Sequence, residues 1–260
     1  MSITVNGLRF SYGTQPVLQG LSFEAENGKV TAVLGSNGAG KTTLFRCILG
    51  FLKGYEGQIL VDGIDERKLS PKELAQHIAY IPQSHGRAFA YTVLDMVLMG
   101  TTHRLPVLAS PGAKEKAEAM AALERIGIDR LAERGFNHIS GGEQQLVLIA
   151  RALAQKANTL LMDEPTSALD YGNRIRVLET LRSLAAEGYS VVLSTHDPDH
   201  ALRYADTLLA IRNGTTEACG RPEEVLTPAL IRSLYGVSAK IVETPSGTVI
   251  VPQRSMPGDC

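Results

Sequence analysis

No uninterrupted apolar run in these 260 residues approaches the roughly 18 needed to cross a bilayer. Met1 to Gly13 has neither the basic start nor the apolar middle of a secretory signal, so the chain is expected to be soluble and cytoplasmic. Cysteine is scarce: Cys47, Cys219 and Cys260 are odd in number and form no Cys-x-x-Cys pair, which argues against a disulfide framework and against a zinc site. Charge of either sign is not in excess. A net charge of −1 gives no overall pull toward nucleic acid or anionic lipid, so any partner must be recognised locally. Internal repeats and low-complexity segments are also missing. What is present is 44% hydrophobic content, enough at this length to bury a full core in one large domain or in a core with a subdomain.

The most informative stretch is Gly35-Ser36-Asn37-Gly38-Ala39-Gly40-Lys41-Thr42, which fits Gly-x-x-x-x-Gly-Lys-Ser/Thr and follows the apolar run Val30 to Leu34. The glycines let the backbone turn tightly and aim successive N–H groups inward, and a helix opening near Lys41 adds the positive end of its dipole. Lys41 is placed to reach the β- and γ-phosphates of a nucleoside triphosphate, and the Thr42 hydroxyl to ligate Mg²⁺. A glycine-rich turn capping a helix is the plain alternative. The strand before it and apolar Leu44, Phe45 and Ile48 after it favour the phosphate loop.

The remaining pattern predicts an α/β fold. Ile3 to Phe10 nearly alternates, with a break at Asn6-Gly7, and reads as a hairpin or bulged strand pair. Val17 to Phe23, Lys29 to Leu34 and Gln58 to Val61 extend a β-rich entry. A helix over Pro71 to His77 leads to the strand Ile78 to Ile81. From Thr92 to Leu153 no strand is predicted: Thr92 to Met99 is a helix, Pro106 to Gly112 a loop, and Lys114 to Ile126 a helix with Ala119, Ala122, Leu123 and Ile126 on one face. Strands then return at Thr159 to Met162 and Ser190 to Ser194, around a helix Asn173 to Glu187 with Ile175, Leu178 and Leu181 inward and Gly188 as its stop. The tail predicts one helix, Pro222 to Leu234, and a hairpin of Lys240 to Glu243 with Thr248 to Val251; Met256 to Cys260 is expected to fray. The economical fold is a mainly parallel α/β core with an inserted helical subdomain.

Several groups could join the phosphate loop. Asp163 and Glu164 end the apolar strand Leu160 to Met162, where open α/β sheets bind ligands. A solvated acidic turn at Pro165 would explain them alone; downstream of a phosphate loop, Asp163 suits the Mg²⁺ shell and Glu164 an attacking water. Ser140-Gly141-Gly142-Glu143 is first a capping box. Two glycines in a first helical turn cost roughly 1 kcal/mol each relative to Ala, which suggests close approach of something to that backbone: a second phosphate ligand, or the same one from another subunit. His196, at the end of the Val191 to Ser194 strand, is a structural histidine or a γ-phosphate contact. Gln83 is a turn residue or a carbonyl ligand to Mg²⁺ at a hinge, and Tyr12, in a turn, a core aromatic or a platform for a base.

With the phosphate loop, Gln83, Ser140-Gly141-Gly142-Glu143, Asp163-Glu164, Ser167-Ala168-Leu169-Asp170 and His196 in this order, the chain resembles the nucleotide-binding subunits of ABC transporters, from Ile3 to about Gly220. The resemblance implies a P-loop NTPase core over residues 1–220, with a mixed, mainly parallel sheet, an antiparallel β subdomain and a helical subdomain at about 84–155, followed by a 221–260 extension. It implies ATP and Mg²⁺ as cofactors. Lys41, Glu164 and His196 become catalytic; Tyr12, Val17, Gly35 to Thr43, Gln83 and Ser140 to Glu143 nucleotide-binding; and Thr42, Gln83 and Asp163 metal-binding. It further implies a head-to-tail homodimer with ATP between the phosphate loop of one subunit and Ser140 to Gly142 of the other, which would account for the paired glycines. Glu143 departs from the usual signature glutamine and puts a carboxylate beside the phosphate-binding turn.

The partners implied are an integral-membrane permease docking near Gln83 to Tyr91 on the cytoplasmic side, and a solute-binding protein reached through it. The helix after Gln83 and the Pro222 to Thr227 tail look like subunits that energise uptake of iron chelates, haem or cobalamin. Molybdate or metal-ion import is the alternative cargo. A non-transport ABC ATPase working on nucleic acid or ribosomes would be expected to show a second cassette, a long coiled coil or a basic patch, and the chain has none; a small-molecule kinase shares only the phosphate loop.

Overall fold

In the computed structural model, residues 2–83, 91–106, 109–245 and 247–253 are described. In chain order the elements are β1 (Ile3–Tyr12), β2 (Gln15–Ala25), β3 (Val30–Leu34), α1 (Lys41–Ile48), β4 (Glu56–Val61), β5 (Ile64–Asp65), α2 (Pro71–His77), β6 (Ile78–Ile81), α3 (Val93–Leu98), α4 (Ala113–Ile126), α5 (Gly141–Gln155), β7 (Thr159–Met162), α6 (Tyr171–Ala186), β8 (Ser190–Thr195), α7 (Pro198–Tyr204), β9 (Thr207–Arg212), β10 (Thr215–Gly220), α8 (Pro222–Val225), α9 (Pro228–Tyr235), β11 (Ala239–Thr244) and β12 (Gly247–Pro252).

The central sheet runs β10-β9-β3-β8-β7-β6, parallel throughout except for β10 at its edge. Its inner strands are mainly apolar on both faces because both are covered, with Thr31, Ser190 and Ser194 among the buried polar exceptions. Along β3, Val30, Ala32 and Leu34 enter one core with α5 and α6, while Val33 enters the other with α1 and the antiparallel sheet. That second sheet, β2-β1-β4-β5, is antiparallel. Asn6-Gly7 is a bulge within one continuous β1, where the register to both neighbours slips, not the turn of a hairpin. The expected mixed, mainly parallel sheet and separate antiparallel sheet are both present, and α3 to α5 lie between β6 and β7 in the chain.

Three readings need correction, and three elements were not read from the sequence. Tyr12 is the last residue of β1, paired with Gln15, rather than a turn residue. In α6 the buried stripe is Val177, Leu178, Leu181 and Leu184, and Ile175 is only half-buried. The Pro222 to Leu234 helix is two helices: Pro228 disfavours helical geometry at Thr227, whose hydroxyl instead accepts from Leu230 N at 3.1 Å and starts α9. Finally, α7, β9 and β10 carry no strong sequence signal, yet β9 is the strand that flanks β3.

Candidate functional site

The site is built where β3 gives way to α1. Gly35 follows the buried strand because a Cβ there would lie 2.6 Å from the Ile211 carbonyl oxygen of β9. Gly40 sits at φ 108 with Val17 and Leu18 pressed against it, a position that excludes a side chain. No side chain caps α1, whereas Ser70, Thr92 and Ser140 cap α2, α3 and α5 through capping boxes. The first-turn N–H groups of α1 therefore remain available to an anion. They open on a cleft of about 300 Å³ whose lining runs from Asn37 to Thr43, with Val17, Gln83 and Glu164 on the other walls. Lys41 is buried, its Nζ donating to the carbonyls of Gly35 (2.7 Å) and Ser36 (3.2 Å). This is a cradle for a polyphosphate, so the residues present fit a nucleotide.

At the end of β7, Asp163 is 2% exposed and accepts hydrogen bonds from Thr42 Oγ1 (2.7 Å) and Ser194 Oγ (2.6 Å). Glu164 adopts φ 46, an uncommon conformation for a non-glycine residue, and its N–H donates to the same Ser194 Oγ at 2.9 Å. The strained turn aims the Glu164 carboxylate at three groups from separate elements. Oε1 is 3.3 Å from Lys41 Nζ, while Oε2 accepts from Gln83 Nε2 at 3.1 Å and faces His196 Nδ1 at 3.2 Å. Ser194, which holds both acids, was missed in the sequence reading; its signal is a polar residue directly after the apolar run Val191 to Leu193 in a buried strand.

Thr42 and Asp163 are hard oxygen donors already in contact, which suits Mg²⁺, an ion that uses one or two carboxylates with phosphate oxygens and water. Among the described residues no group of three or more His, Cys, Asp and Glu side chains could enclose a metal by itself.

The other named residues stand apart from the cleft. Tyr12 is half-exposed, packed edge-on against Phe10 at 5.0 Å between ring centres. Ser140 is occupied by its own helix: its Oγ accepts from Glu143 N, and Glu143 Oε2 accepts from Ser140 N at 3.0 Å. Glu143 Oε1 accepts from Arg130, and these bonds, that from Ser140 N first, hold the carboxyl below its usual range. The signature carboxylate is thus already compensated within the chain. Gly141 lines a small pocket of about 100 Å³ shared with Gln83 and Glu164. Gly142 has an explanation that the sequence reading did not foresee: a Cβ there would fall 2.2 Å from Asn173 Cγ in α6, so a side chain at this position would have to displace Asn173 within the chain. The permease groove predicted at Gln83 to Tyr91 falls mostly on 84–90, outside the described residues.

Comparison with known proteins agrees with this geometry. The family description "ABC transporter" matches residues 18–167. A hemin import ATP-binding protein of Roseobacter denitrificans is 36% identical over 98% of this chain and 99% of its own length. A probable iron chelatin transport ATP-binding protein of Helicobacter pylori is 40% identical over 82% and 84%. A solved structure described as an inward-facing conformation of a metal-chelate type ABC transporter superposes with a TM-score of 0.86 at 34% identity, over 97% of this chain and 98% of that one. An uncapped phosphate cradle, a paired acid turn and these matches over nearly the whole length have one reading: the chain belongs to the ABC transporter family, among its ATP-binding subunits.

Proposed function

We propose that this chain is the ATP-hydrolysing subunit of an importer for a metal chelate such as haem, a ferric siderophore or cobalamin. The observation that carries the catalytic part is the convergence of Lys41, Gln83 and His196 on one carboxylate of Glu164 beside the phosphate cradle. The cargo class rests on the hemin and iron-chelate names of relatives that match most of the chain.

In this reading the first-turn N–H groups of α1, with Gly35 to Thr43, bind and orient the phosphates, and Tyr12 and Val17 bracket the base. Thr42, Asp163 and Gln83 would hold Mg²⁺, which would supply positive charge beside the bound phosphates. Glu164 orients a water and takes its proton as the water oxygen bonds to the γ-phosphorus. The bond from that phosphorus to the bridging oxygen breaks, and the electron pair leaves with ADP. Lys41 and His196 stabilise charge on the γ-phosphoryl oxygens. Residues 1–220 form the catalytic domain, with 84–155 as its helical subdomain and 221–260 as an extension.

Two copies pack head to tail, with Ser140 to Glu143 of each closing the nucleotide site of the other. The dimer sits on the cytoplasmic face of the membrane beneath a permease, which receives cargo from a solute-binding protein. The test is to purify the tagged chain from its native host in mild detergent, identify its partners by mass spectrometry, and compare ATP hydrolysis with Glu164→Gln. A stoichiometric polytopic partner and a loss of hydrolysis of at least about a hundredfold are expected. Soluble partners alone would overturn transport, and wild-type turnover in the variant would remove Glu164 from its role.

A further inference from the structure

The proposed mechanism uses His196 but does not account for the charged groups behind it. His196 lies on the short link between β8 and α7, more than half exposed, and its side chain faces the Glu164 carboxylate at 3.2 Å. Its neighbour Asp197 is held on every side. Asp197 N donates to Thr195 Oγ1 at 3.0 Å, and Asp197 Oδ1 caps α7 by accepting from Asp199 N (3.0 Å) and His200 N (3.4 Å). Its second oxygen, Oδ2, faces His200 Nε2 at 3.3 Å and Arg174 Nη1 at 3.7 Å.

Both partners are specialised. His200 is largely buried, burial lowers its pKa, and its Nδ1 has no hydrogen-bond partner among the described residues. Nε2, the ring nitrogen that faces Asp197 Oδ2, is the one through which His200 meets that carboxylate. Arg174 comes from α6 and reaches in the other direction as well, its Nη2 donating to the Leu169 carbonyl at 3.4 Å in the Ser167 to Asp170 turn. A continuous path thus runs from that turn through Arg174 and Asp197 to His196 and the Glu164 carboxylate.

We propose that Arg174 and His200 are positioning residues that clamp Asp197 and thereby hold His196 at the γ-phosphate position. The inference rests on the ATPase reading above. Neither residue is within the contacts that line the phosphate cleft, so the clamp should affect the chemical step and leave ATP binding alone. Because both act through one carboxylate, their effects should not add.

The experiment uses the full chain in the assembly purified from its native membranes. His200→Ala and Arg174→Ala are expected to lower kcat about tenfold or more while the KM for ATP stays within about twofold, as for a misplaced catalytic group. His200→Gln, whose amide nitrogen can replace Nε2, should restore most of the rate, and the double variant should be no slower than the slower single one. A second readout needs no turnover: in nucleotide-free protein, amide exchange in a peptide covering 195–203 should speed up in both alanine variants and return toward wild type in His200→Gln, with melting temperatures recorded alongside. Unchanged kcat, a parallel rise in KM, additive losses, or unchanged exchange would each overturn the clamp. Wild-type protein without ATP hydrolysis would overturn the underlying function together with it, whereas active wild type with unaffected variants sinks the clamp alone.

Discussion

Replacing Gly142 by alanine separates two explanations of the paired glycines. In a helix, alanine is ordinarily favoured over glycine by up to about 1 kcal/mol. Here the new Cβ would lie 2.2 Å from Asn173 Cγ, 2.4 Å from its Oδ1 and 2.6 Å from its Cβ, well inside contact distance. Swinging Asn173 aside has a cost, since its Nδ2 donates to Asp170 Oδ2 at 2.8 Å and its backbone N–H is capped by Asp170 Oδ1. Either α5 moves off α6, an overpacking cost of about 1–3 kcal/mol, or the Asn173 bond is lost, at about 0.5–1.5 kcal/mol. Against the helix gain of up to about 1 kcal/mol, Gly142→Ala should come out between neutral and about 2 kcal/mol destabilising, and each kcal/mol lowers the melting point of a chain this size by about 2–4 °C. The assay is calorimetry on nucleotide-free protein in a cycle with Asn173→Ala. Removing the asparagine should make Gly142→Ala neutral or stabilising, a coupling of about 1 kcal/mol or more. If Gly142→Ala raises the melting point equally in both backgrounds, the intrachain account is wrong, and only approach by a partner subunit or ligand would explain that glycine.

Three further outcomes follow from single contacts. Ser194→Ala leaves buried Asp163 Oδ1 without its donor and Glu164 N without its acceptor, so it should lower stability by about 1–3 kcal/mol in calorimetry and reduce ATP turnover, the strained turn no longer being held. Glu118 accepts from Arg104 and then Lys156, which lower its carboxyl from 4.5 to about 2. Since the folded value is the lower one, its contribution is present above about pH 4.5 and is lost as pH falls toward 2, so the gap in melting temperature between wild type and Glu118→Gln should close over that interval. Cys47 is fully buried and its thiol is pushed up to about 12, first by burial and then by Glu66, so a thiol reagent at pH 8 should modify exposed Cys219 and spare Cys47 until the protein unfolds, as peptide mass spectrometry would report.

Why the phosphate cradle could be read in advance and its support could not is a matter of distance along the chain. Gly35 to Thr42 is contiguous, and each residue type follows from the backbone of its own turn, so the pattern carries the geometry with it. The capping boxes of Ser70, Thr92 and Ser140 are local in the same way, and α2 and β6 begin and end where the residues predict. The contacts that were missed all join distant segments: Ser194 with Asp163 across 31 positions, Asn173 against Gly142, and Arg174 against Asp197. The failures in secondary structure have the same origin. α7 is a short helix whose start depends on Asp197 as its cap, and β9 is recognisable as a strand chiefly because β3 waits beside it. Gly142 shows the risk in the opposite direction: a residue that a family signature accounts for through a partner also faces a close neighbour in its own chain. A signature motif can therefore be kept by two constraints at once, and loss of function in a signature variant is evidence about ATP contact only after the intrachain cost has been measured.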